Sequence, residues 1–211
     1  MKYSLNKSLH KKSEKLPILI AGAGTGLGKA LLIYNEKLKS YVPMPSEAGH
    51  VDFMPQDASE LELFEFIKRR RKMRDVSYED VLSGRGIENI YFFLKKKIMS
   101  KQWREIENSR DIPASISKYR KSDHACRIVF EIFAMFYARF IRNMALDCLP
   151  YGGIFICGGI AQKNADIFNK AFKKEYMRNS IMKSLLARFP IFLVTDEKIG
   201  LRGAAFFAGE M

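Results

Sequence analysis

The stretch from Leu16 to Gly28 constrains the fold most, because an apolar run of strand character leads directly into a loop rich in glycine. Its sequence is LPILIAGAGTGLG, with glycine at positions 22, 24, 26 and 28. Glycine permits positive φ and a close approach of backbone N–H groups, so such a loop can hold a phosphate group without side-chain bulk. A tight turn between two strands is the alternative, since glycine also marks ordinary turns.

Two common phosphate loops do not fit this stretch. A Walker A loop ends in Gly-Lys-Ser/Thr, but Ala30 follows Lys29, and Ala23 stands where the first glycine is required. A dinucleotide fingerprint G-x-G-x-x-G also fails, because Leu27 and Lys29 occupy the position of the third glycine. The residues that follow, KALLIYNEKLKSYVPMP, predict a second strand, a polar turn and a third strand. A phosphate loop inside a β-hairpin is the arrangement of actin-like ATPases.

Five segments together resemble the bacterial glucokinase family of ATP-dependent hexose kinases. They are GAGTGLG at 22–28, PSEAGHVDFMP at 45–55, VSYEDVLSGRGIENIY at 76–91, GGIFICGGI at 152–160 and GLRGAA at 200–205. Their order and spacing match the family over about residues 17–208. The resemblance implies an α/β fold of the ribonuclease-H-like (actin-like ATPase) type, a large domain in which helices cover a mixed sheet. It also implies ATP and magnesium as cofactors and glucose or a similar hexose as the substrate, phosphorylated at its 6-hydroxyl.

The resemblance further implies the binding residues. The sugar ligands would be Glu47 and His50, three positions apart, and Glu79. A carboxylate accepts hydrogen bonds from hydroxyl groups, and an imidazole can donate or accept. From the residues alone, a surface glutamate with a structural histidine stays an alternative for the first pair, and an ordinary first-turn acid for Glu79. The nucleotide would be held by Gly24, Thr25, Gly26, Leu27, Gly28, Gly158 and Gly159.

The family's catalytic base has no counterpart in these 211 residues. In the family a smaller domain carries an Asp-Gly-Gly-Thr loop and an Asn-Asp pair whose aspartate is the base, and neither motif occurs here. We therefore expect residues 1–15 to be a flexible lead-in and 16–211 the large C-terminal domain of a truncated glucokinase, without the small N-terminal domain and without a catalytic residue. The alternatives are an inactive fragment that binds nucleotide or sugar, and a subunit complemented by a separate N-terminal domain or a homodimer partner.

The formal net charge of +13 favours anionic partners. On charge alone, a nucleic-acid-binding protein is therefore an alternative to a kinase. Six basic residues lie between Lys68 and Arg74, but cations also suit the carboxyl terminus of a helix. The basic residues are moreover spread along the chain rather than gathered in one footprint. We therefore do not expect nucleic acid as a partner.

Three cysteines without close pairing and an amino terminus without an apolar core indicate a reducing, cytoplasmic location. The most hydrophobic helix, near 123–149, is interrupted by four charges and is therefore predicted to be buried rather than to span a membrane. No Cys/His set has the spacing of metal ligands, so no metal bound by the protein alone is expected.

Local signals place the other elements. The Asp57 to Glu60 spacing of a capping box predicts a helix to about Arg74, and residues 77–80 predict a second, short helix. A turn at 83–86 should precede a helix from Ile87 to about Met99, and a break is expected at 112–113. Strands are predicted near 151–159 and 190–195, and a closing helix over 200–208.

Overall fold

One mixed sheet of six strands runs through the described part of the protein, which in the computed structural model comprises residues 2–4, 15–95 and 97–209. The strands are β1 (Lys2–Ser4), β2 (Ile18–Ala23), β3 (Leu27–Asn35), β4 (Ser40–Ser46), β5 (Gly153–Cys157) and β6 (Ile191–Val194). Their order across the sheet is β1-β6-β5-β2-β3-β4. The β2–β5 and β5–β6 pairs are parallel and the other neighbours are antiparallel. The mixed sheet and the hairpin around the glycine loop are confirmed.

Nine α-helices surround this sheet in the described residues. They are α1 (Ala58–Arg71), α2 (Gly84–Lys95), α3 (Trp103–Glu107), α4 (Ile112–Tyr119), α5 (His124–Cys148), α6 (Gly159–Lys163), α7 (Lys170–Tyr176), α8 (Lys183–Leu186) and α9 (Ile199–Gly209). Three short 3₁₀ helices add Ala48–His50, Tyr78–Asp80 and Ala165–Ile167. Helices over a mixed sheet are the α/β architecture that the sequence predicts.

The long helix α5 packs against the centre of the sheet. Alternate residues of β2 are fully buried, and Tyr137 on α5 donates its hydroxyl hydrogen to the carbonyl oxygen of Ala21 over 3.2 Å. Aromatic residues spaced by three and four positions along α5 are buried with it, as a core-facing helix requires. The predicted buried helix is thus present, and no helix in the described residues has the length and apolarity needed to cross a bilayer.

Two of the charges on α5, Arg139 and Arg142, are buried in an ion-pair network, whereas Arg127 and Glu131 are exposed. Arg139, 1% exposed, donates two hydrogen bonds to the Glu60 carboxylate, over 2.7 and 2.8 Å. Its neighbour Arg142 donates to the backbone oxygen of Glu175 on α7 over 2.7 Å. Glu60 also accepts from the backbone N–H of Gln56, so it fixes the start of α1 at the same time. This network ties α1, α5 and α7 together.

Several boundaries differ from the sequence-based expectation. Residues 2–4, assigned to a flexible lead-in, form the edge strand β1 beside β6, because three backbone positions suffice to pair with an open edge; the rest of the lead-in, 5–14, lies outside the described residues. Helix α2 already begins at Gly84, where a turn was expected. Pro113 lies in the first turn of α4 and starts that helix instead of breaking one, because its missing N–H is not needed there.

Two arginines of the basic segment at the end of α1 form tertiary ion pairs. Arg70 binds Glu88 on α2 over 2.7 Å, and Arg71 forms an ion pair with the buried carboxylate of Asp80. Helix α1 ends at Arg71, earlier than predicted, because Lys72 adopts the left-handed conformation with φ of 53°. These arginines therefore hold the helix against its neighbours, which agrees with the interpretation of this cluster as a helix terminus.

Candidate functional site

The glycine loop closes the β2–β3 hairpin at the carboxyl end of β2. Its backbone is held by one hydrogen bond within the loop, from the Gly24 N–H to the carbonyl oxygen of Gly26 over 2.8 Å. A second comes from outside, from the N–H of Gly84 at the start of α2 to the carbonyl oxygen of Gly24 over 2.8 Å. Thr25 is exposed, and a Cβ atom added at Gly24 would meet no atom within 4 Å. The loop is therefore fixed in shape but open on its outer face.

A side chain at position 26 would collide with a neighbouring side chain, although φ there is not positive. Among the described residues, positive φ at glycine occurs only at Gly153 and Gly158, so the four glycines of the loop do not use the left-handed region. A Cβ atom at Gly26 would instead lie 2.7 Å from Oε2 of Glu79. The sequence suggests that glycine is present here to permit positive φ, but φ is not positive. Glycine instead leaves room for the Glu79 carboxylate.

Glu79 links the glycine loop to the segment around residue 78. Its Oε2 accepts a hydrogen bond from the backbone N–H of Leu27 over 2.9 Å. The side chain is half-buried and belongs to the 3₁₀ helix Tyr78–Asp80, which begins with the predicted capping interaction: Asp80 accepts from the backbone N–H of Ser77 over 3.0 Å. One candidate sugar ligand is thereby in direct contact with the candidate phosphate loop.

Glu47 and His50 belong to a segment that packs against the same loop. They flank the 3₁₀ helix Ala48–His50, in which His50 donates its backbone N–H to the carbonyl oxygen of Glu47 over 2.9 Å. Gly49 allows this helix to pack on the loop, because a Cβ atom there would lie 2.2 Å from the carbonyl oxygen of Leu27. The side chains of Glu47 and His50 are exposed and make no hydrogen bond or ion pair with the described residues. Both are therefore available to a ligand.

Backbone pairing brings the two sugar segments together. Tyr78 donates its N–H to Val51 over 3.0 Å, and Phe53 donates to Val76 over 2.8 Å. The rings of Phe53 and Tyr78 also contact each other, with centroids 5.7 Å apart. Because Val51 follows His50 and Tyr78 precedes Glu79, this short ladder brings the segments that carry His50 and Glu79 close together beside the glycine loop.

The second glycine turn adjoins the first across the sheet. Strand β5 pairs in parallel with β2, with Cys157 opposite Gly22, so both strands end at the same edge. Gly158 has φ of 91°, and a Cβ atom there would lie 2.5 Å from the carbonyl oxygen of Ala23. A Cβ atom at Gly159, the first residue of α6, would meet no atom within 4 Å. Gly158 thus packs on the base of the first loop, and Gly159 has open space beside it.

Cys157 is a packing residue of this edge. Its thiol lies against Gly22 and donates a weak hydrogen bond to the carbonyl oxygen of Ala21 over 3.5 Å. Burial raises the pKa of the thiol, which keeps it protonated and unsuited to nucleophilic attack. In the described parts of the chain, no group of three or more His, Cys, Asp or Glu side chains has the geometry of a metal site.

Three contacts of this site were not predicted from the sequence. They are the hydrogen bond from Leu27 to Glu79, the close approach of Gly49 and the hydrogen bond from Gly84 to the loop. The contacts of Gly49 and Gly84 could have been suspected, because each glycine lies within five positions of a candidate sugar ligand. The first contact joins residues 52 positions apart, and only the fold brings them together.

Comparison with known proteins extends these observations. The sequence profile of the Glucokinase family matches residues 4–211. Glucokinase from Nostoc sp. (strain PCC 7120 / SAG 25.82 / UTEX 2576) is 34% identical over 218 residues, which cover 95% of this chain and 63% of that protein. The crystal structure of glucokinase from an Antarctic psychrotroph matches with a TM-score of 0.77 at 25% identity, over 97% of this chain and 61% of that one.

A further neighbour is a ROK family glucokinase from Streptomyces griseus, solved in complex with glucose and AMPPNP. It is 17% identical with a TM-score of 0.64 over 93% of this chain and 62% of its own, and it shows the shared actin-like ATPase fold. This chain spans less than two thirds of the length of all three proteins. The family profile covers nearly every residue, and the order of motifs around the glycine loop agrees with it: this chain belongs to the glucokinase family.

Proposed function

We propose that this chain forms the large, ligand-binding domain of an ATP-dependent glucokinase. The observation that carries the proposal is the hydrogen bond from the Leu27 N–H to Glu79, because it joins a sugar motif of the family to its phosphate loop. A kinase must hold a hydroxyl acceptor and a phosphoryl donor in line, and most of its catalysis is positioning and charge stabilisation. A sugar-binding carboxylate that is hydrogen-bonded to the phosphate loop would hold the hexose next to the phosphates of ATP.

The two ligands have separate places at this edge. Glu47, His50 and Glu79 bind the hexose hydroxyl groups, with the charged acceptors making the stronger hydrogen bonds. Gly24, Thr25, Gly26, Leu27 and Gly28 hold the phosphates of ATP, and Gly158 with Gly159 leaves room for the adenosine. The open space beside Gly24 and Gly159 fits such a ligand. The neighbour from Streptomyces griseus, with its bound glucose and AMPPNP, supports the same pair of ligand classes.

Magnesium is proposed to be held mainly by the phosphate oxygens, as is common for this ion, and it would neutralise charge on the transferring group. The described residues contribute no cluster of metal ligands to it. This chain's own part is to orient the sugar, to cradle the phosphates with backbone N–H groups and to form one wall of a cleft from which water is excluded.

The general base is proposed to come from a small domain that complements this one, either on a longer chain or as a separate protein. Helix α9 supports the presence of such a partner, because residues 199–206 are all exposed although Leu201 and Phe206 are large and apolar. The protein is proposed to act in the cytoplasm, since Cys126, Cys148 and Cys157 are all free thiols.

Calorimetric titration of glucose tests the sugar site. We expect Glu47→Gln to weaken binding by about 1.5–3 kcal/mol, because it removes a charged acceptor that has no other partner. Glu79→Gln should cost less, since its Oε2 already accepts from the backbone of Leu27 and a glutamine oxygen can still do so.

Glu36→Gln is the matched control, because Glu36 is exposed at the opposite end of β3 from the glycine loop. It should leave glucose affinity unchanged. A larger loss for Glu79→Gln than for Glu47→Gln overturns the ranking, and glucose affinity that neither substitution changes removes the hexose from this site.

A further inference from the structure

A second concave region lies away from the glycine loops, between α5 and α7. This α5–α7 crevice has a volume of about 1250 Å³ and is bounded by the amino-terminal half of α5, the 3₁₀ turn at 165–167, α7 and the start of α8. None of the candidate sugar or nucleotide residues lines it. The crevice is therefore separate from the site of the proposed function.

The floor of the crevice is apolar. It is formed by the buried side chains of Phe130, Ile167 and Phe172, with the half-buried Met135 and Met177 beside them. Methionine is flexible and polarizable, so these two side chains can adapt to apolar groups of different shape. The volume lies slightly above the roughly 300–1,000 Å³ of most ligand pockets. An organic molecule with an apolar body fits this floor.

The rim of the crevice is strongly basic. Its lining contains eight Lys and Arg side chains and three acidic ones, and each acid is already paired: Glu131 with Arg127, Asp166 with Arg120, and Glu175 with Arg178. Four exposed lysines make no ion pair with the described residues. They are Lys121, Lys170, Lys174 and Lys183. The rim therefore presents uncompensated positive charge above an apolar floor.

We propose that the α5–α7 crevice binds an amphipathic organic anion, a small molecule with a carboxylate or phosphate group on an apolar body. The apolar part lies on the phenylalanine and methionine floor, and the acidic group is held by the lysines of the rim. The excess of basic over acidic side chains on the rim favours an anion. A neutral apolar ligand would gain nothing from four ammonium groups without ion pairs to the described residues, and a cation would be repelled. The proposal does not depend on kinase activity.

The test uses a pair of dyes that differ in charge. 1-Anilinonaphthalene-8-sulfonate is an amphipathic anion, and N-phenyl-1-naphthylamine is its uncharged analogue; both fluoresce when they leave water. The variant carries Lys170→Gln, Lys174→Gln and Lys183→Gln together. We expect the Kd of the anionic dye to rise about tenfold in this variant, since three nearby charges each contribute a modest amount, and that of the neutral dye to change less than about twofold.

The matched control replaces three other exposed lysines that make no ion pair with the described residues, Lys37, Lys72 and Lys101, by glutamine. It should leave both affinities within about twofold, which separates the crevice from the overall charge of the protein. Decanoate should displace the anionic dye from the unmodified protein, and decanol at the same concentration should not.

Three results would overturn the proposal: an affinity for the anionic dye that the crevice variant leaves unchanged, an equal loss in the control variant, or displacement by vesicles containing anionic phospholipid but not by decanoate. The last result would assign the crevice to a membrane surface instead of a soluble anion. Near-ultraviolet circular dichroism of each variant verifies that the fold is retained.

Discussion

The two glycine turns at the shared edge of β2 and β5 use the same residue type for different physical reasons. At Gly158 the backbone itself requires glycine, because φ is 91° and the carbonyl oxygen of Ala23 is 2.5 Å from where a Cβ atom would lie. At Gly26 the backbone is ordinary and the obstacle is the mobile end of the Glu79 side chain, 2.7 Å away. Glycine at position 158 is thus needed for the fold, whereas glycine at position 26 allows contact between the loop and Glu79, a candidate sugar-binding residue.

The comparison shows that glycine content alone does not identify the residues that touch a ligand. Gly24 and Gly159 have open space beside them, whereas Gly26 and Gly158 are surrounded by protein atoms. We therefore expect an added methyl group to change mainly nucleotide affinity at the open pair, and mainly stability or the contact with Glu79 at the enclosed pair. The following predictions separate these roles, from the largest effect to the smallest.

The largest effect concerns catalysis, because neither of the two candidate nucleotide-binding turns supplies a general base. Residues 1–211 assayed alone should not phosphorylate glucose at a useful rate, since loss of a general base typically costs about 10²–10⁴ in rate. Loss of closure over the substrates adds to this, because orientation can account for roughly 7–11 kcal/mol of the barrier. A coupled assay of glucose 6-phosphate formation measures it.

Turnover within the usual kinase range of about 1–100 s⁻¹ would contradict this prediction and require a base among the 211 residues. If the chain is silent, addition of a separately expressed small domain from a relative is the control. Recovery of activity indicates a complementing domain, and continued silence with intact glucose binding indicates an inactive ligand-binding protein.

The second prediction concerns stability at the Gly158 turn. Gly158→Ala should lower the free energy of unfolding by about 1–3 kcal/mol, because a Cβ atom is strained at this φ and overlaps the Ala23 carbonyl group. Gly159→Ala, one residue later, should change it by less than about 0.5 kcal/mol, since its Cβ atom would meet open space. Urea unfolding with unchanged m-values measures both. Equal midpoints for the two variants would show that the turn relaxes without cost.

The smallest effect is expected at Gly26. Gly26→Ala should displace the Glu79 carboxylate from the Leu27 N–H and lower the free energy of unfolding by about 0.5–1.5 kcal/mol, the usual contribution of one hydrogen bond. In a Glu79→Ala background the same substitution should have almost no effect, because the contact is already gone. Gly24→Ala is the control and should retain stability while weakening AMPPNP binding. If Gly26→Ala lowers the free energy of unfolding by the same amount in the Glu79→Ala background, position 26 is not coupled to Glu79.

Elements that depend on a local signal could be predicted from the sequence. The strand and turn residues around Leu16–Gly28 predict the hairpin, the capping residues Asp57 and Ser77 predict the starts of two helices, and aromatic spacing predicts that α5 is buried. Two local patterns gave wrong predictions: Pro113 starts a helix where a break was expected, and Gly84 begins a helix where a turn was expected. The family and the α/β fold followed from motif order, which survives such local errors.

The sequence by itself determined the family, the fold class and the residue types of the candidate site, because motifs of fixed order and spacing record them along the chain. Only the tertiary structure decided how these residues meet: that Glu79 bonds to Leu27, that Gly49 packs on the same residue and that Gly158 lies against Ala23. The same holds for the α5–α7 crevice, whose apolar floor and basic rim come from helices separated by a strand and two short helices. Contacts between distant residues depend on how strands and helices pack, and periodicity within a segment carries no information about its partner in space.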